Sequence, residues 1–175
     1  VAATKDVDFA LADGSLSTTD GMSVTLMNIE KANLTGGDGD NEFNVTNWTT
    51  GTGTLDGAAG TEDLLVATNE LAAITLTDIS LVRTGFGTLT LANIEDAQLT
   101  GGAGINAIDA SGFTLGTVTM TGDAGVDTFT GSATRLTDIV QETRDVIFTL
   151  TDTSLIIGAE GTDVLVDIDI ANLTG

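Results

Sequence analysis

The chain has 175 residues, of which 26 are acidic and 5 are basic, and its formal net charge is −21 at pH 7. Nucleic acids and anionic membrane surfaces are bound by clustered Lys and Arg, so this composition excludes both as partners. Cysteine is absent, which excludes disulfides and thiol chemistry, and no apolar run approaches the roughly 20 residues of a membrane-spanning helix. Such an acidic chain attracts cations, and calcium is the common structural cation for carboxylate and carbonyl oxygens.

Two landmarks recur along the chain at the same offsets. The motif Asp-x-Ser-Leu begins at Asp13, Asp78 and Asp152. A second motif, NIE-x-A-x-LTGG, begins at Asn28 and Asn93 and returns in a variant form from Asp167. Each recurs after 65 and then 74 residues, so long repeats are predicted at about 13–77, 78–151 and 152–175, the last one truncated. We therefore expect a single tandem-repeat domain over 1–175, excerpted from a longer chain.

A shorter pattern lies within each long repeat. Nine-residue segments of the form G-G-x-G-x-D-x-U-x, where U is a large apolar residue, begin at Thr19, Gly36, Gly57, Thr84, Gly101, Gly122 and Gly158. Their eighth positions are all apolar: Leu26, Phe43, Leu64, Leu91, Ile108, Phe129 and Leu165. This spacing predicts one glycine-rich turn per coil of chain, with the seven apolar side chains in a single interior column.

The segments between these turns alternate in polarity and are rich in β-branched residues. Examples in chain order are SVTLMNI, AITLTDISL, GTLTLANI, GTVTMTG and VIFTLTD, and such alternation predicts half-buried strands. We therefore predict an all-β fold, a right-handed parallel β-helix or β-solenoid of about eight unequal coils, in which each coil buries its apolar face against its neighbours. A β-sandwich array is the alternative architecture. The longer segment from Ser132 to Asp145 is expected to form a surface loop, and it is the one candidate for a short helix.

Two further features have structural interpretations. Trp48 and Phe113 occupy matching positions of the first two long repeats; a core position is favoured over an exposed, sugar-binding one. The recurring Asp of Asp-x-Ser-Leu is expected to accept a hydrogen bond from its own backbone two residues on, in an Asx-turn.

The glycine-rich copies carry a family resemblance. Segments such as GGDGDNEFN and GDAGVDTFT resemble the glycine- and aspartate-rich motif of RTX (repeats-in-toxin) proteins, and the recurring LTGG core is similar to long arrays in large bacterial surface proteins. The resemblance implies a parallel β-roll or β-helix, calcium between successive turns, type I secretion to an extracellular or cell-surface location, and roles in adhesion or matrix formation. The sixth position departs from the family aspartate at Val24 and Leu89, so only a few calcium sites are implied.

The candidate metal ligands are the oxygen-bearing side chains of these turns. They are Asp38, Asp40, Asn41, Glu62, Asn106, Asp123, Asp127 and Asp163. Hard oxygen ligands on a glycine-bent backbone suit Ca²⁺. The alternative is that these Asn and Asp side chains cap turns by bonding the local backbone.

The sequence favours a structural or adhesive extracellular module over an enzyme. It has no His or Tyr, and its five basic residues are scattered: Lys5, Lys31, Arg83, Arg135 and Arg144. Self-association or contact with neighbouring repeats is expected, because uncapped coils expose strand edges. The alternatives are a polysaccharide-acting β-helix enzyme, and a solenoid whose threonine rows bind ice, a glycan or a cell surface.

Overall fold

The computed structural model describes residues 1–70, 73–134 and 137–175, and all regular structure in these ranges is β-strand. The first ten strands are β1 (Ala2–Thr4), β2 (Phe9–Ala12), β3 (Ser15–Thr18), β4 (Ser23–Thr25), β5 (Lys31–Thr35), β6 (Glu42–Asn47), β7 (Thr52–Asp56), β8 (Leu64–Thr68), β9 (Ala73–Thr77) and β10 (Ser80–Arg83). The second ten are β11 (Leu89–Ala92), β12 (Asp96–Thr100), β13 (Ala107–Gly112), β14 (Val118–Thr121), β15 (Thr128–Thr130), β16 (Asp138–Thr143), β17 (Phe148–Thr151), β18 (Ser154–Ile157), β19 (Gly161–Val166) and β20 (Ile170–Thr174). These ranges hold no helix with the length and apolarity to cross a membrane.

The strands form two sheets, and the chain passes back and forth between them. The eleven-stranded sheet has the order β1-β5-β7-β11-β10-β9-β13-β15-β19-β18-β17, and the nine-stranded sheet has the order β20-β16-β14-β12-β8-β6-β2-β3-β4. Successive single strands, such as β5 to β8 and β12 to β16, alternate between the sheets, and each pairs in parallel with its neighbours. The prediction of an all-β fold is confirmed, and most of the pairing is parallel.

Three antiparallel meanders interrupt the parallel ladders, and the sequence did not predict them. They are β2–β3–β4, β9–β10–β11 and β17–β18–β19. Each Asp-x-Ser-Leu motif lies at the hairpin between the first two strands of a meander. The recurring motif therefore marks a reversal of chain direction within one sheet.

Of the segment 132–145, which was expected to form a loop or a short helix, residues 135 and 136 lie outside the described part of the chain, and the described residues do not form the expected loop or helix. They include β16, which pairs in parallel with β14 and with β20 in the nine-stranded sheet. The burial of Val140 explains why the segment is a strand, since its inward face packs in the core. Five single strands separate the second and third meanders, whereas four separate the first and second. The longer second repeat is thus longer by one strand.

The core lies between the two sheets, and one hydrophobic cluster contains buried residues of both. The expectation of a single interior column is wrong, because the seven apolar positions divide between the sheets. The nine-stranded sheet aligns Phe9, Phe43, Leu65, Ala97 and Val118. The eleven-stranded sheet aligns Ile74, Ile108, Phe129 and Leu165. Leu64 is only half-buried, and Leu65 takes the core position beside Phe43.

Candidate functional site

The glycine-rich turns share one local geometry, in which an Asn or Asp side chain folds over a glycine. The pairs are Gly36 with Asn41, Gly57 with Asp63, Gly101 with Asn106, Gly122 with Asp127, and Gly131 with Asp138. A Cβ atom on Gly36 would lie 2.1 Å from Oδ1 of Asn41, so a residue with a side chain does not fit at position 36. Glycine is therefore required at these turns because neighbouring atoms lie too close to its Cα for a side chain, and not because its φ is positive.

The first set of turns is linked by a ladder of hydrogen bonds from backbone to side chain. The N–H of Asn41 donates to Oδ1 of Asp63 over 2.7 Å, and the N–H of Asp63 donates to Oε2 of Glu95 over 3.1 Å. Oδ1 of Asn41 also accepts from the N–H of Gly37 over 2.8 Å. Asn41 and Asp63 are buried, so the Asp63 carboxylate satisfies a buried backbone donor, the N–H of Asn41.

A second ladder repeats this arrangement on the other sheet. The N–H of Asn106 donates to Oδ1 of Asp127, and the N–H of Asp127 donates to Oδ1 of Asp163, each over 2.8 Å. All three side chains are buried. The structure therefore brings together three of the predicted site residues, and their shared function in the fold is to connect adjacent turns.

The exposed members of the predicted set take no part in these two ladders. Asp38, Asp40, Glu62 and Asp123 are exposed. Asp40 accepts from the N–H groups of Thr61 and Glu62 over 2.9 and 3.1 Å, and these two hydrogen bonds lower the pKa of Asp40. This contact differs from the local turn-capping alternative, because Asp40 bonds the backbone of the adjacent turn, 21 and 22 residues along the chain.

Asp63 and Glu95 are ladder residues that the candidate set from the sequence did not include. The spacing from glycine to ladder residue is five in the turns of Asn41, Asn106, Asp127 and Asp163, and six from Gly57 to Asp63. The additional residue shifts the nine-residue pattern by one, so that Glu62 was predicted in place of Asp63. Ala58, which follows Gly57, has a φ of 73°, a left-handed conformation that accommodates the longer turn.

Several acidic groups surround the second ladder. Burial raises the pKa of Asp127 to about 6 and that of Glu142 to about 7, and the neighbouring carboxylates add to both shifts. Arg144 opposes the shifts, since Nη2 lies 3.3 Å from Oε2 of Glu142, and Nη1 lies 3.1 Å from Oδ1 of Asp123. Burial also raises the pKa of Asp163. The end of the ladder thus concentrates buried carboxyl groups beside the guanidinium of Arg144.

Three ladder carboxylates each keep one oxygen available for a ligand. Oδ2 of Asp63, Asp127 and Asp163 is buried and has no hydrogen-bond partner in the described part of the chain. A Cβ atom on Gly60 would lie 2.5 Å from Oδ2 of Asp63 and 2.8 Å from the carbonyl oxygen of Gly39. Gly60 therefore keeps open a space in which a carboxylate and a carbonyl of the adjacent turn converge.

The free oxygens of these turns are of the hard type that Ca²⁺ takes as ligands, with one carboxylate per turn. Within residues 1–70, 73–134 and 137–175, no group of three or more His, Cys, Asp or Glu side chains is arranged to hold a metal ion. Ca²⁺ accepts backbone carbonyls alongside single carboxylates, and the turn of Asp63 offers one of each, Oδ2 of Asp63 and the carbonyl oxygen of Gly39. A bound calcium would supply positive charge between neighbouring turns.

Arg83 is a second buried polar residue that the sequence did not single out. Its Nη1 donates to the carbonyls of Val45 and Thr68 over 3.0 and 3.1 Å, and its Nη2 donates to the carbonyl of Trp48 over 2.5 Å. Its Cζ atom lies 4.9 Å from the centre of the Phe86 ring. Burial lowers the pKa of Arg83 to about 10. Arg83 belongs to β10 of the eleven-stranded sheet. Its guanidinium donates to carbonyls near the ends of β6 and β8, which belong to the nine-stranded sheet.

The Asp of Asp-x-Ser-Leu does not form the expected Asx-turn. Oδ1 of Asp13 accepts from the N–H of Thr49 over 2.7 Å, and Oδ1 of Asp78 accepts from the N–H of Thr114 over 2.5 Å, each partner being 36 residues further along the chain. The threonine hydroxyls donate to the Oδ2 atoms over 2.5 and 2.9 Å. We call this contact the Asp–Thr clamp. Partial burial raises the pKa of Asp13, but the hydrogen bonds from Thr49 and Thr50 lower it below its ordinary value.

Trp48 and Phe113 precede the two clamp threonines, and both rings are buried. The prediction of a core position for this aromatic pair is confirmed. An aromatic residue that anchors the chain just before the threonine holds the threonine against the neighbouring hairpin.

Comparisons with protein-family models, with curated proteins and with solved structures find no match to this chain.

Proposed function

We propose that this chain is a structural or adhesive repeat module of a bacterial extracellular or cell-surface protein. In this proposal the two sheets form a right-handed parallel β-solenoid of about eight coils, and RTX-like turns bind a few calcium ions. The observation that carries the proposal is that parallel strand pairing continues from one long repeat to the next.

The boundaries between long repeats are paired as fully as the interior of each repeat. β8 of the first repeat pairs in parallel with β12 of the second over five residue pairs, and β16 of the second pairs with β20 of the third over five. β12 in turn pairs with β14 on its other side. Each long repeat pairs with the next one through equivalent strands, which supports an open-ended array over a closed domain. A spacer, surface layer or matrix fibre requires such an array.

Calcium would offset the charge of such an array. The net charge is −21, and the ladders bring buried carboxylates of adjacent turns together. The orphaned Oδ2 atoms of Asp63, Asp127 and Asp163 support calcium at these turns. The exposed carboxylates Asp38, Asp40, Glu62 and Asp123 lie at the rims of the same turns. Because ligands from adjacent turns converge only in the folded chain, calcium binding would be coupled to folding.

Thermal unfolding in calcium and in EDTA tests the calcium component. We expect the melting temperature to rise by several degrees in millimolar calcium, because a ligand that binds only the folded state stabilises it. Asp127→Asn should reduce the calcium-dependent rise. Asp145→Asn, at an exposed position, is the matched control and should leave the rise intact. Equal melting temperatures of the wild-type chain in calcium and EDTA would contradict calcium binding.

Sedimentation velocity and electron microscopy, with and without calcium, test the assembly component. Concentration-dependent growth of elongated particles supports a layer or fibre role. A chain that stays monomeric under all conditions would retain only the role of a spacer.

A further inference from the structure

Arg144 lies among acidic side chains of three separate segments. Its Nη1 lies 3.1 Å from Oδ1 of Asp123, in the turn after β14. Its Nη2 lies 3.3 Å from Oε2 of Glu142, near the end of β16, and its Nε lies 3.4 Å from Oε2 of Glu160, just before β19. One guanidinium therefore connects three segments that are distant from one another in sequence.

The guanidinium acts through its charge more than through directional hydrogen bonds. Nη1 donates a hydrogen bond to Asp123, but the buried Nε and Nη2 form no hydrogen bond within the described chain. Oε2 of Glu142 is also buried and accepts no hydrogen bond there. Attraction between charges depends on distance and needs no particular direction. A spherical cation can therefore satisfy the same carboxylates.

The charge of Arg144 also acts on the second ladder. Burial raises the pKa of Asp127 and of Asp163, and the charge of Arg144 opposes the rise at both carboxyls. Oδ2 of each of these carboxyls is buried and has no hydrogen-bond partner in the described residues. The two orphaned oxygens therefore lie within the electrostatic reach of the guanidinium and remain available to a positively charged ligand.

The first ladder differs, because no ion pair of the described chain includes Asp63. Burial raises the pKa of Asp63, and the charge of Glu95 adds to the rise. The ion pairs of the described residues join Lys5 to Asp20 and Arg144 to the three carboxylates near it. The orphaned oxygen of Asp63 is thus not neutralised by an ion pair, whereas the second ladder has a guanidinium beside it.

We propose that Arg144 is a built-in counter-ion that competes with calcium for the carboxylates of the second ladder. Calcium then binds the turn of Asp63 at a lower concentration than the turns of Asp127 and Asp163, where the guanidinium already neutralises part of the charge. The proposal rests on the proposed calcium binding and extends it, because it assigns a different affinity to each ladder. Without calcium, Arg144 stabilises the second ladder in the folded chain.

The repeat supports a local function for Arg144. The residue eight positions before the Asp of Asp-x-Ser-Leu is Lys5 in the first copy, Glu70 in the second and Arg144 in the third. Lys5 pairs with Asp20, which is not a ladder residue, and Glu70 is exposed and has the opposite charge. The repeat architecture therefore does not require a cation at this position, and the charge of Arg144 matches its own acidic surroundings.

Calorimetric titration with Ca²⁺ tests the proposal. In the wild-type chain we expect a tighter and a weaker class of site. Arg144→Gln should raise the affinity of the weaker class about tenfold, because calcium no longer competes with a positive charge at contact distance. In EDTA the same variant should melt several degrees below the wild-type chain, since its buried carboxylates have lost their counter-ion, and calcium should restore the melting temperature.

Lys5→Gln is the matched control. It changes the net charge as Arg144→Gln does, but it removes an ion pair with Asp20, so both calcium affinities should stay as in the wild-type chain. Arg144→Lys keeps the charge without the three-way contact and should give a smaller gain in affinity. Asp127→Asn combined with Arg144→Gln should lose most of the gain, because the charged ligand of the second ladder is then absent.

The outcomes separate this proposal from the general function. An unchanged calcium affinity in Arg144→Gln, or an equal gain in Lys5→Gln, overturns the function of Arg144 and leaves calcium at Asp63 unaffected. Equal melting temperatures of the wild-type chain in calcium and EDTA would contradict the proposed calcium binding. In that case a calcium-dependent rise in Arg144→Gln alone still supports the competition, and no rise overturns it.

The folding of the variants is followed by circular dichroism at each calcium concentration. An Arg144→Gln chain that folds only in calcium supports the proposal, because calcium then replaces the missing counter-ion. If this variant stays unfolded at every calcium concentration, Arg144→Lys decides by the same titration. A gain in calcium affinity in Arg144→Lys supports the competition, and an unchanged affinity overturns it.

Discussion

The Oδ2 atom of Asp63 lies directly over Gly57, where an added Cβ atom would approach it to 2.4 Å. The same Cβ atom would lie 2.0 Å from the carbonyl oxygen of Asn93, which belongs to the next turn of the stack. Both contacts arise because the ladder side chain and the neighbouring backbone fill the space above the glycine. The regular glycines of this sequence are thus packing positions as well as turn positions.

Gly57→Ala should therefore destabilise the fold strongly. Neither the buried carboxylate nor the backbone carbonyl of the next turn can move without breaking a ladder contact, so we expect a loss of about 3 kcal/mol in the free energy of unfolding. Gly14→Ala is the control, because nothing lies within 4 Å of an added Cβ there, and it should change stability by less than about 0.5 kcal/mol. Urea denaturation of both variants measures the difference, and equal stabilities would contradict the packing explanation.

Stability should increase as the pH falls from about 8 to 5 in calcium-free buffer. Burial raises the pKa of Glu142 to about 7 and that of Asp127 to about 6, whereas both groups in the unfolded chain titrate near 4. Between these values the folded chain binds more protons than the unfolded chain, so raising the pH through this window lowers stability. The expected change is on the order of 2 kcal/mol for Glu142.

Glu142→Gln isolates the contribution of this carboxyl. The amide resembles the protonated carboxyl and keeps an oxygen that can accept from the N–H of Gly122. The variant should be more stable than the wild-type chain at pH 8 and should show a flatter pH profile. If the stability of the wild-type chain rises between pH 5 and 8, the pKa values of these carboxyls are not raised in the folded state.

Arg83→Met should cost about 3 kcal/mol or more. The substitution retains apolar volume but leaves the buried carbonyls of Val45 and Trp48 without their donor, and an unsatisfied buried acceptor carries the full desolvation penalty. Lys31→Met changes an exposed cation and should be nearly neutral. Chemical denaturation distinguishes the two variants. A neutral Arg83→Met would mean that water replaces the guanidinium.

The Asp–Thr clamp predicts unequal effects at equivalent aspartates. Asp78→Ala should lower the free energy of unfolding by about 1 to 2 kcal/mol, because it removes hydrogen bonds from the backbone and hydroxyl of Thr114. Asp152→Ala should lower it by less than about 0.5 kcal/mol, since no clamp forms there in the described chain. Thermal denaturation of the two variants checks this. Similar losses would indicate that the aspartates stabilise their own hairpins instead.

Local sequence patterns predicted the strands and turns better than their assembly. The alternation around Ile74 and Met120 identified the strands β9 and β14 correctly, because alternation depends only on which side chains are buried. The same pattern could not assign Phe43 to one sheet and Ile108 to the other. That assignment depends on how many strands precede each residue, and the antiparallel meanders before them were not predicted. The meanders were missed for a related reason, since a hairpin within a sheet and a crossing between sheets use similar turn residues.

The candidate site was predicted in part. Asn41, Asn106 and Asp127 each follow a turn glycine by five residues and fold over it, so the spacing alone pointed to them. Asp163 has the same spacing but joins the ladder from β19 without folding over Gly158. Asp63 was missed by one position because its turn is longer. The partners of Asp13 and Asp78 lie 36 residues away, a separation that only the register of the stacked strands makes visible.

An engineered disulfide across a repeat boundary tests most directly the claim that successive long repeats stack in parallel register. Val66 and Gln98 are paired between β8 and β12, while Asn44 pairs with Val66 on the other side. The chain has no native cysteine, so Val66→Cys with Gln98→Cys should form an intramolecular disulfide at strand spacing. Asn44→Cys with Gln98→Cys, two strands apart at about 10 Å, should not. Failure of the first pair to cross-link, or equal cross-linking of both pairs, would contradict the stacked-repeat account.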